Sequence, residues 1–289
     1  MASPLPLMLL LTFIYAICFS AIKAGLVYAP PLRFAGLRAL LGGLTLLGWA
    51  LVRREEVLPR RTGLGSIAVL SLLATTIVFA AMFLSAGRTG AGIASILGNL
   101  QALFTMGLAA VFLSERWTGR KMIAMLIGLT GVALIAFPSM AGSGASGFVG
   151  PLLALTVSVG SAVSNIVVKR LEINSGLLAF TAWQLIAGSL PLLAGSAIFE
   201  RGRSTDWTPE FLLLLLFLAF AGTSFVTAVW YRLIQREDVG RLSIFFYLVP
   251  PFGLGFAVLV FKEPLSGYEI AGSLLALASV GLAAVRAKE

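Results

Sequence analysis

Small hydroxyl and amide side chains stand inside otherwise apolar runs of this chain, at spacings that gather them. Ser71, Thr75, Phe79 and Phe83 recur every four residues and predict one polar-aromatic stripe on a helix. Shifted by 148 residues, the stripe's counterparts include Thr223, Thr227 and Tyr231. Ser95 and Asn99 share a helical face, and the same shift carries them onto Ser243 and Tyr247. A further run brings Ser158, Ser161, Ser164 and Asn165, and the next brings Trp183 and Gln184. Such groups donate and accept hydrogen bonds and stack on a flat or apolar molecule. They suit binding rather than bond-breaking. The chain has no histidine, no paired carboxylates at depth, and neither a metal-ligand spacing nor a GxxxxGK[ST] phosphate loop, so no catalytic residue, metal or cofactor is expected.

Each of these residues also has a plainer role. A serine or threonine commonly bonds the carbonyl one turn back or lets two helices approach closely. The larger amides of Asn99, Gln101, Asn165 and Gln184 need partners wherever they are buried. Trp183, Trp230 and Tyr247 could wall an apolar substrate, although Trp230 and Tyr231 also suit an interfacial aromatic belt. Arg38, in the second run, either snorkels outward or presents a cation to a substrate carboxylate, and snorkelling is favoured. Pro250 and Pro251 remove two backbone donors and predict a kink.

The elements that must position these groups follow from composition. Of 289 residues 59% are apolar and 11% charged, more hydrocarbon than a water-soluble core conceals. Continuous runs such as Phe211 to Phe220 exclude an alternating β-barrel strand. The runs match a bilayer's thickness over Pro6–Ala24, Leu32–Val52, Leu64–Ala86, Gly90–Leu113, Lys121–Phe137, Phe148–Val168, Leu177–Phe199, Pro209–Tyr231, Leu242–Phe261 and Tyr268–Val285. The predicted fold is an all-α polytopic membrane protein of ten transmembrane helices. Lys23 follows the first run and no basic residue precedes it, so that run is read as a retained span rather than a signal peptide. The lone Cys18 leaves no internal disulfide.

A net charge of +9 would suit nucleic acid on a soluble patch, but here the basic residues lie in the loops and report topology instead. With both termini cytoplasmic, the inner loops hold Arg53, Arg54, Arg60, Arg61, Arg116, Arg120, Lys121, Lys169, Arg170, Arg232, Arg236, Arg241, Arg286 and Lys288. The outer loops hold only Lys23, Arg33, Arg88, Arg201, Arg203 and Lys262.

The stretch VFLSERWTG at 111–119 is echoed by LVFKEPLSG at 259–267. The 148-residue shift matches Thr75 with Thr223, Arg88 with Arg236, Gly92 with Gly240, Glu115 with Glu263 and Gly119 with Gly267. Nearer the start, a shift of 146 matches Lys23 with Lys169, Phe34 with Phe180 and Gly42 with Gly188. The chain therefore reads as two five-helix repeats, 1–140 and 147–289, forming one transmembrane domain. An odd number of spans inserts the second copy upside down, and inverted repeats suit alternating access. Glu115 and Glu263 are expected in capped, salt-bridged loops, with Ser266 and Glu269 as a capping box and Thr118 capping the fifth helix.

These features resemble the EamA-type ten-helix branch of the drug/metabolite transporter superfamily. The likeness is carried by the duplicated five-helix unit, Lys23 closing the first span, Arg38 facing Gln184 in the repeat, and the small-residue and glutamate pattern around Glu115 and Glu263. Members of this layout are similar to metabolite and amino-acid exporters, including the YddG-type exporters of bacterial inner membranes, with a central cavity built from both halves. IYAICFS in the first span departs from the Trp and Asn often seen there. The resemblance implies a multi-pass inner-membrane exporter of small metabolites, chiefly amino acids, acting without a cofactor and without nucleic acid. Its partners are then a small-molecule substrate and the lipid bilayer, with a monomer compatible. Drugs, nucleosides and purines are alternative substrates, and a membrane enzyme or channel the alternative class.

Overall fold

A computed structural model describes residues 5–55, 57, 63–86, 88, 91–141, 148–173, 176–261 and 266–284. The described secondary structure is helical throughout. We number the helices α1 (Leu5–Gly25), α2 (Pro31–Val52), α3 (Leu64–Ala86), α4 (Ala91–Leu113), α5 (Gly119–Ala141), α6 (Val149–Arg170), α7 (Leu177–Phe199), α8 (Pro209–Arg236), α9 (239–261) and α10 (Gly267–Ala284). Among the described residues nine are long and apolar enough to cross a membrane, and α4 contributes a shorter apolar stretch, Leu97–Leu113. Large apolar side chains such as Leu213, 71% exposed, line the outside, as expected where lipid is the solvent.

The helix starts follow local chemistry. Pro31 and Pro209 occupy first-turn positions, where a missing N–H costs nothing. Thr208 Oγ1 accepts from Phe211 N at 3.2 Å. Asp238 Oδ1 accepts from Arg241 N at 2.8 Å, which begins α9 three residues before the sequence-based boundary. The expected caps form as well. Ser266 N donates to Glu269 Oε2 at 2.8 Å while Glu269 N donates back to Ser266 Oγ at 3.3 Å. Thr118 Oγ1 accepts from Lys121 N at 3.3 Å, and α5 starts at Gly119. Ahead of Pro250 and Pro251, α9 tightens into a 3-10 turn over Phe245–Leu248, closed by Val249 N to Phe246 O. The two prolines leave no N–H for the carbonyls of Phe246 and Tyr247 one α-turn back, which favours that tightening.

Cα proximity divides the chain into two compact units. One comprises the start of α1 with α4, most of α6, and α5, α9 and α10. Its core gathers Ala102, Met106, Ala124, Met125, Val132, Ile244, Tyr247, Ala276 and Ala283. There α5 and α10 meet backbone to backbone: a Cβ on Gly131 would lie 2.6 Å from Gly272 O, and one on Gly272 would lie 2.5 Å from Gly131 O. Small residues permit such an approach where no hydrophobic effect drives helices together. The other unit comprises α2, α3, α7 and α8 with the end of α1. Its core holds Leu46, Ala182, Leu185 and Ala228, flanked by Leu47, Phe79 and Leu178.

Candidate functional site

The second unit contains the densest buried polar arrangement, built on two widened turns. α3 is π-helical over Ser71–Ile77 and α8 over Phe220–Phe225. Side-chain hydroxyls serve the carbonyls of these turns. Thr76 Oγ1 donates to Ser71 O at 3.1 Å, and Ser224 Oγ donates to Ala219 O at 2.9 Å, each five residues back. The same hydroxyls reach across to a glycine carbonyl on the neighbouring helix, Thr76 to Gly188 O at 2.9 Å and Ser224 to Gly42 O at 2.8 Å. Only glycine fits at these crossings. A Cβ on Gly188 would lie 2.4 Å from Thr75 Cβ and 2.6 Å from Ser71 O, and one on Gly42 would lie 2.9 Å from Thr223 Cγ2.

Arg38 does not snorkel. It is 4% exposed, its Nε donates to Thr223 Oγ1 at 2.7 Å and its Nη2 to Gly222 O at 3.0 Å. Its Cζ lies 5.0 Å from the Phe79 ring centroid and 5.8 Å from that of Phe83, within cation–π range. The polar turn and the two rings draw the guanidinium inward, which overturns the outward reading. Gln184 stands at the equivalent place on α7, donating from Nε2 to Thr75 Oγ1 at 3.3 Å and accepting from Tyr231 Oη at 3.0 Å. Trp183 Nε1 donates to Val57 O at 2.7 Å. Tyr231 and Trp230 are buried rather than placed as an exposed belt.

Of the expected site residues, Thr75, Phe79, Phe83, Trp183, Gln184 and Thr227 belong to this unit. Gln184 joins Thr75, and Arg38 joins Phe79 to Phe83, whereas Thr227 is half-buried outside the hydrogen bonds just described. Asn99, Ser161, Asn165 and Tyr247 belong to the other unit. Ser158 Oγ donates to Leu97 O and to Gly98 O, tying α6 to α4 within a turn of Asn99 and Ser161. Asn165 is buried on α6. Tyr247 is fully buried, its ring occupying the notch that Gly128 leaves on α5. Several hydroxyls take the plainer role: Ser164 bonds Gly160 O at 2.7 Å and Ser243 bonds Val239 O at 2.8 Å within their own helices.

Glutamates close helix ends within each unit. Glu115 accepts from Val239 N at 2.8 Å and Gly240 N at 3.1 Å at the start of α9. Glu200 accepts from Leu32 N at 2.9 Å and Arg33 N at 3.1 Å at the start of α2. Both carboxyl groups accept from otherwise unsatisfied N–H groups at the positive end of a helix. Glu263, the counterpart of Glu115, lies outside the described residues. Beside Glu115 stands Asp238, which sequence reasoning missed and which pairs with Lys121 Nζ. Burial, reinforced by the hydrogen bond and negative charge of Asp238, pushes the Glu115 carboxyl up to about 7 against the backbone donors that favour its charge. Asp238 is held below its ordinary range: burial opposes the shift, but the hydrogen bonds from Glu115, Lys121 and Arg241 N outweigh it.

Apolar helices long enough to cross a bilayer, with hydroxyl, amide and guanidinium groups buried at their crossings, define a polytopic membrane protein. The chain belongs to the EamA-like transporter family, within the drug/metabolite transporter superfamily, matching it over residues 3–137 and again over 148–285. It is 30% identical over 286 residues to the "Probable amino-acid metabolite efflux pump" of Salmonella typhimurium, covering 95% of this chain and 92% of that one. To the Escherichia coli protein of the same name it is 29% identical over 280 residues, covering 93% and 90%. To "Uncharacterized transporter YoaV" of Bacillus subtilis it is 26% identical over 269 residues, covering 91% and 90%. A crystal structure 19% identical in sequence superposes with a TM-score of 0.80, covering 96% of this chain and 93% of that one, and agrees in fold. The protein is a multi-pass membrane transporter rather than an enzyme, and in bacteria such proteins reside in the inner membrane.

Proposed function

We propose that the protein exports small metabolites, chiefly amino acids, by alternating access through a central cavity between two inverted five-helix repeats, 1–140 and 147–289, with both termini cytoplasmic. The observation that carries this reading is the doubled crossing around the π turns. Thr76 to Gly188 and Ser224 to Gly42 correspond through the same 148- and 146-residue shifts (76 to 224, 42 to 188). So do Gln184 to Thr75 and Arg38 to Thr223 (38 to 184, 75 to 223). Equivalent crossings of this kind support two halves that can exchange conformations, which is the basis of alternating access in inverted-repeat carriers. The excess of basic residues in alternate loops supports the orientation. The names of the enteric relatives support amino acids as the substrate class.

In this reading the hydroxyl, amide and aromatic groups named above line the path, and transport runs down the substrate gradient, because the chain lacks histidine and, among the described residues, its carboxylates lie at helix ends and in loops. The test is uptake of a panel of radiolabelled amino acids into liposomes holding the purified protein, with and without an imposed pH gradient. Saturable uptake without the gradient is expected. Uptake that strictly needs the gradient would overturn the facilitative part. Folded protein that moves nucleosides or drugs but no amino acid would overturn the substrate class.

A further inference from the structure

Arg38 and Gln184 occupy equivalent positions and do the same mechanical work, each bonding the threonine in the π turn of the facing helix. The molecule thus contains its own control. At Gln184 a neutral amide suffices to hold the crossing, and Tyr231 supplies a phenol for the amide oxygen to accept from. At Arg38 the counterpart of Tyr231 is Phe83 (83 to 231), whose ring, with that of Phe79, faces the guanidinium. Packing would be served by a second glutamine–tyrosine pair. What the arginine–phenylalanine pair adds is a fixed positive charge at membrane depth, which is costly and marks function in such proteins.

Building on the transporter reading above, we infer that Arg38 is the specificity-determining residue that recognises a carboxylate on the substrate. A guanidinium matches a carboxylate in plane and in charge, unlike the amide of Gln184. Thr223 Oγ1 and Gly222 O fix its Nε and Nη2, so the group is oriented before a ligand arrives. The rings of Phe79 and Phe83 lie against it, and in this inference a substrate reaches it by displacing them. The substrate class is then carboxylate-bearing zwitterions, and their esters and amides are excluded.

The experiment measures uptake of a labelled amino acid into proteoliposomes against two competitors, the unlabelled acid and its methyl ester, for the wild type, R38K and R38Q. Folding of each variant is checked beforehand by gel filtration and melting temperature. In the wild type the acid should compete about tenfold or more better than the ester, the scale of a lost buried charge contact. R38K should keep the preference at reduced rate. R38Q, which copies Gln184, should lose the preference and fall about tenfold or more in uptake. Wild-type protein that takes up the amino acid but is inhibited equally by ester and acid overturns the inference and leaves the transporter reading intact, even if R38Q does not fold. Folded R38Q with wild-type uptake and preference overturns it too. Wild-type protein that moves no carboxylate-bearing compound overturns both this inference and the amino-acid reading.

Discussion

Replacing Glu115 with Gln should remove most of the pH dependence of this protein's stability between pH 5 and 8. The folded protein raises the carboxyl from 4.5 to about 7. Between those values the folded state holds a proton that the unfolded chain has released, so the contribution of Glu115 to stability is full below about pH 4.5 and is lost as pH rises towards 7. The ceiling is about 2.5 pK units at about 1.36 kcal/mol each, or about 3.4 kcal/mol. Glu115 is partly exposed, and water screening cuts that to about 1–2 kcal/mol. The chain offers an unusually quiet background for the measurement. It has no histidine, and Asp238, held below its ordinary range, changes charge only in stronger acid. In detergent solution the wild-type melting temperature should fall by a few degrees from pH 5 to pH 7 and then level off. E115Q should be nearly flat over the same range. A flat wild-type profile, or an equal slope in both proteins, would refute the reasoning.

Two further predictions concern the helix crossings. Gln184→Leu removes the amide that bonds both Thr75 Oγ1 and Tyr231 Oη and should cost about 1–3 kcal/mol, while adding Tyr231→Phe to it should cost less than the sum of the single changes, as chemical-denaturant midpoints in a double-mutant cycle would show. Gly272→Val drives its Cβ against Gly131 O and the Ile135 backbone and should cost about 1–3 kcal/mol, whereas Gly281→Ala, with open space around the new carbon, should be neutral or stabilising by up to about 1 kcal/mol; melting temperatures of the two variants in one detergent check both.

The spans were legible because bilayer thickness imposes a length on apolar runs, and the caps because their chemistry is local. Ser266 and Glu269 stand three residues apart, and Thr118 stands three before Lys121. The doubled crossing was half legible: the shifts pair Thr75 with Thr223 and Gly42 with Gly188, yet which helix meets which depends on tertiary packing. Arg38 was misread for that reason. An arginine a few residues into a span snorkels unless something inside holds it, and the holders, Thr223, Gly222, Phe79 and Phe83, lie far along the chain. Asp238 escaped because its partners Glu115 and Lys121 come from the other half of the sequence.

The four-residue stripe Ser71, Thr75, Phe79, Phe83 assumed a uniform screw, and the π turn breaks it. One residue more than an α turn requires is absorbed between Ser71 and Ile77, so side chains beyond it are out of phase with those before by about one α-helical residue, roughly 100°. A single rod thereby serves two neighbours in succession. The first part of α3 and its wide turn pack on α7, and its last part packs on α2. α8 does the reverse: its first part and wide turn lie on α2, and beyond the turn Tyr231 reaches Gln184 on α7. Each of these helices changes partners midway, as a rope does when it is given a part-turn between two pulleys, and no single helical wheel drawn through either of them can describe both ends.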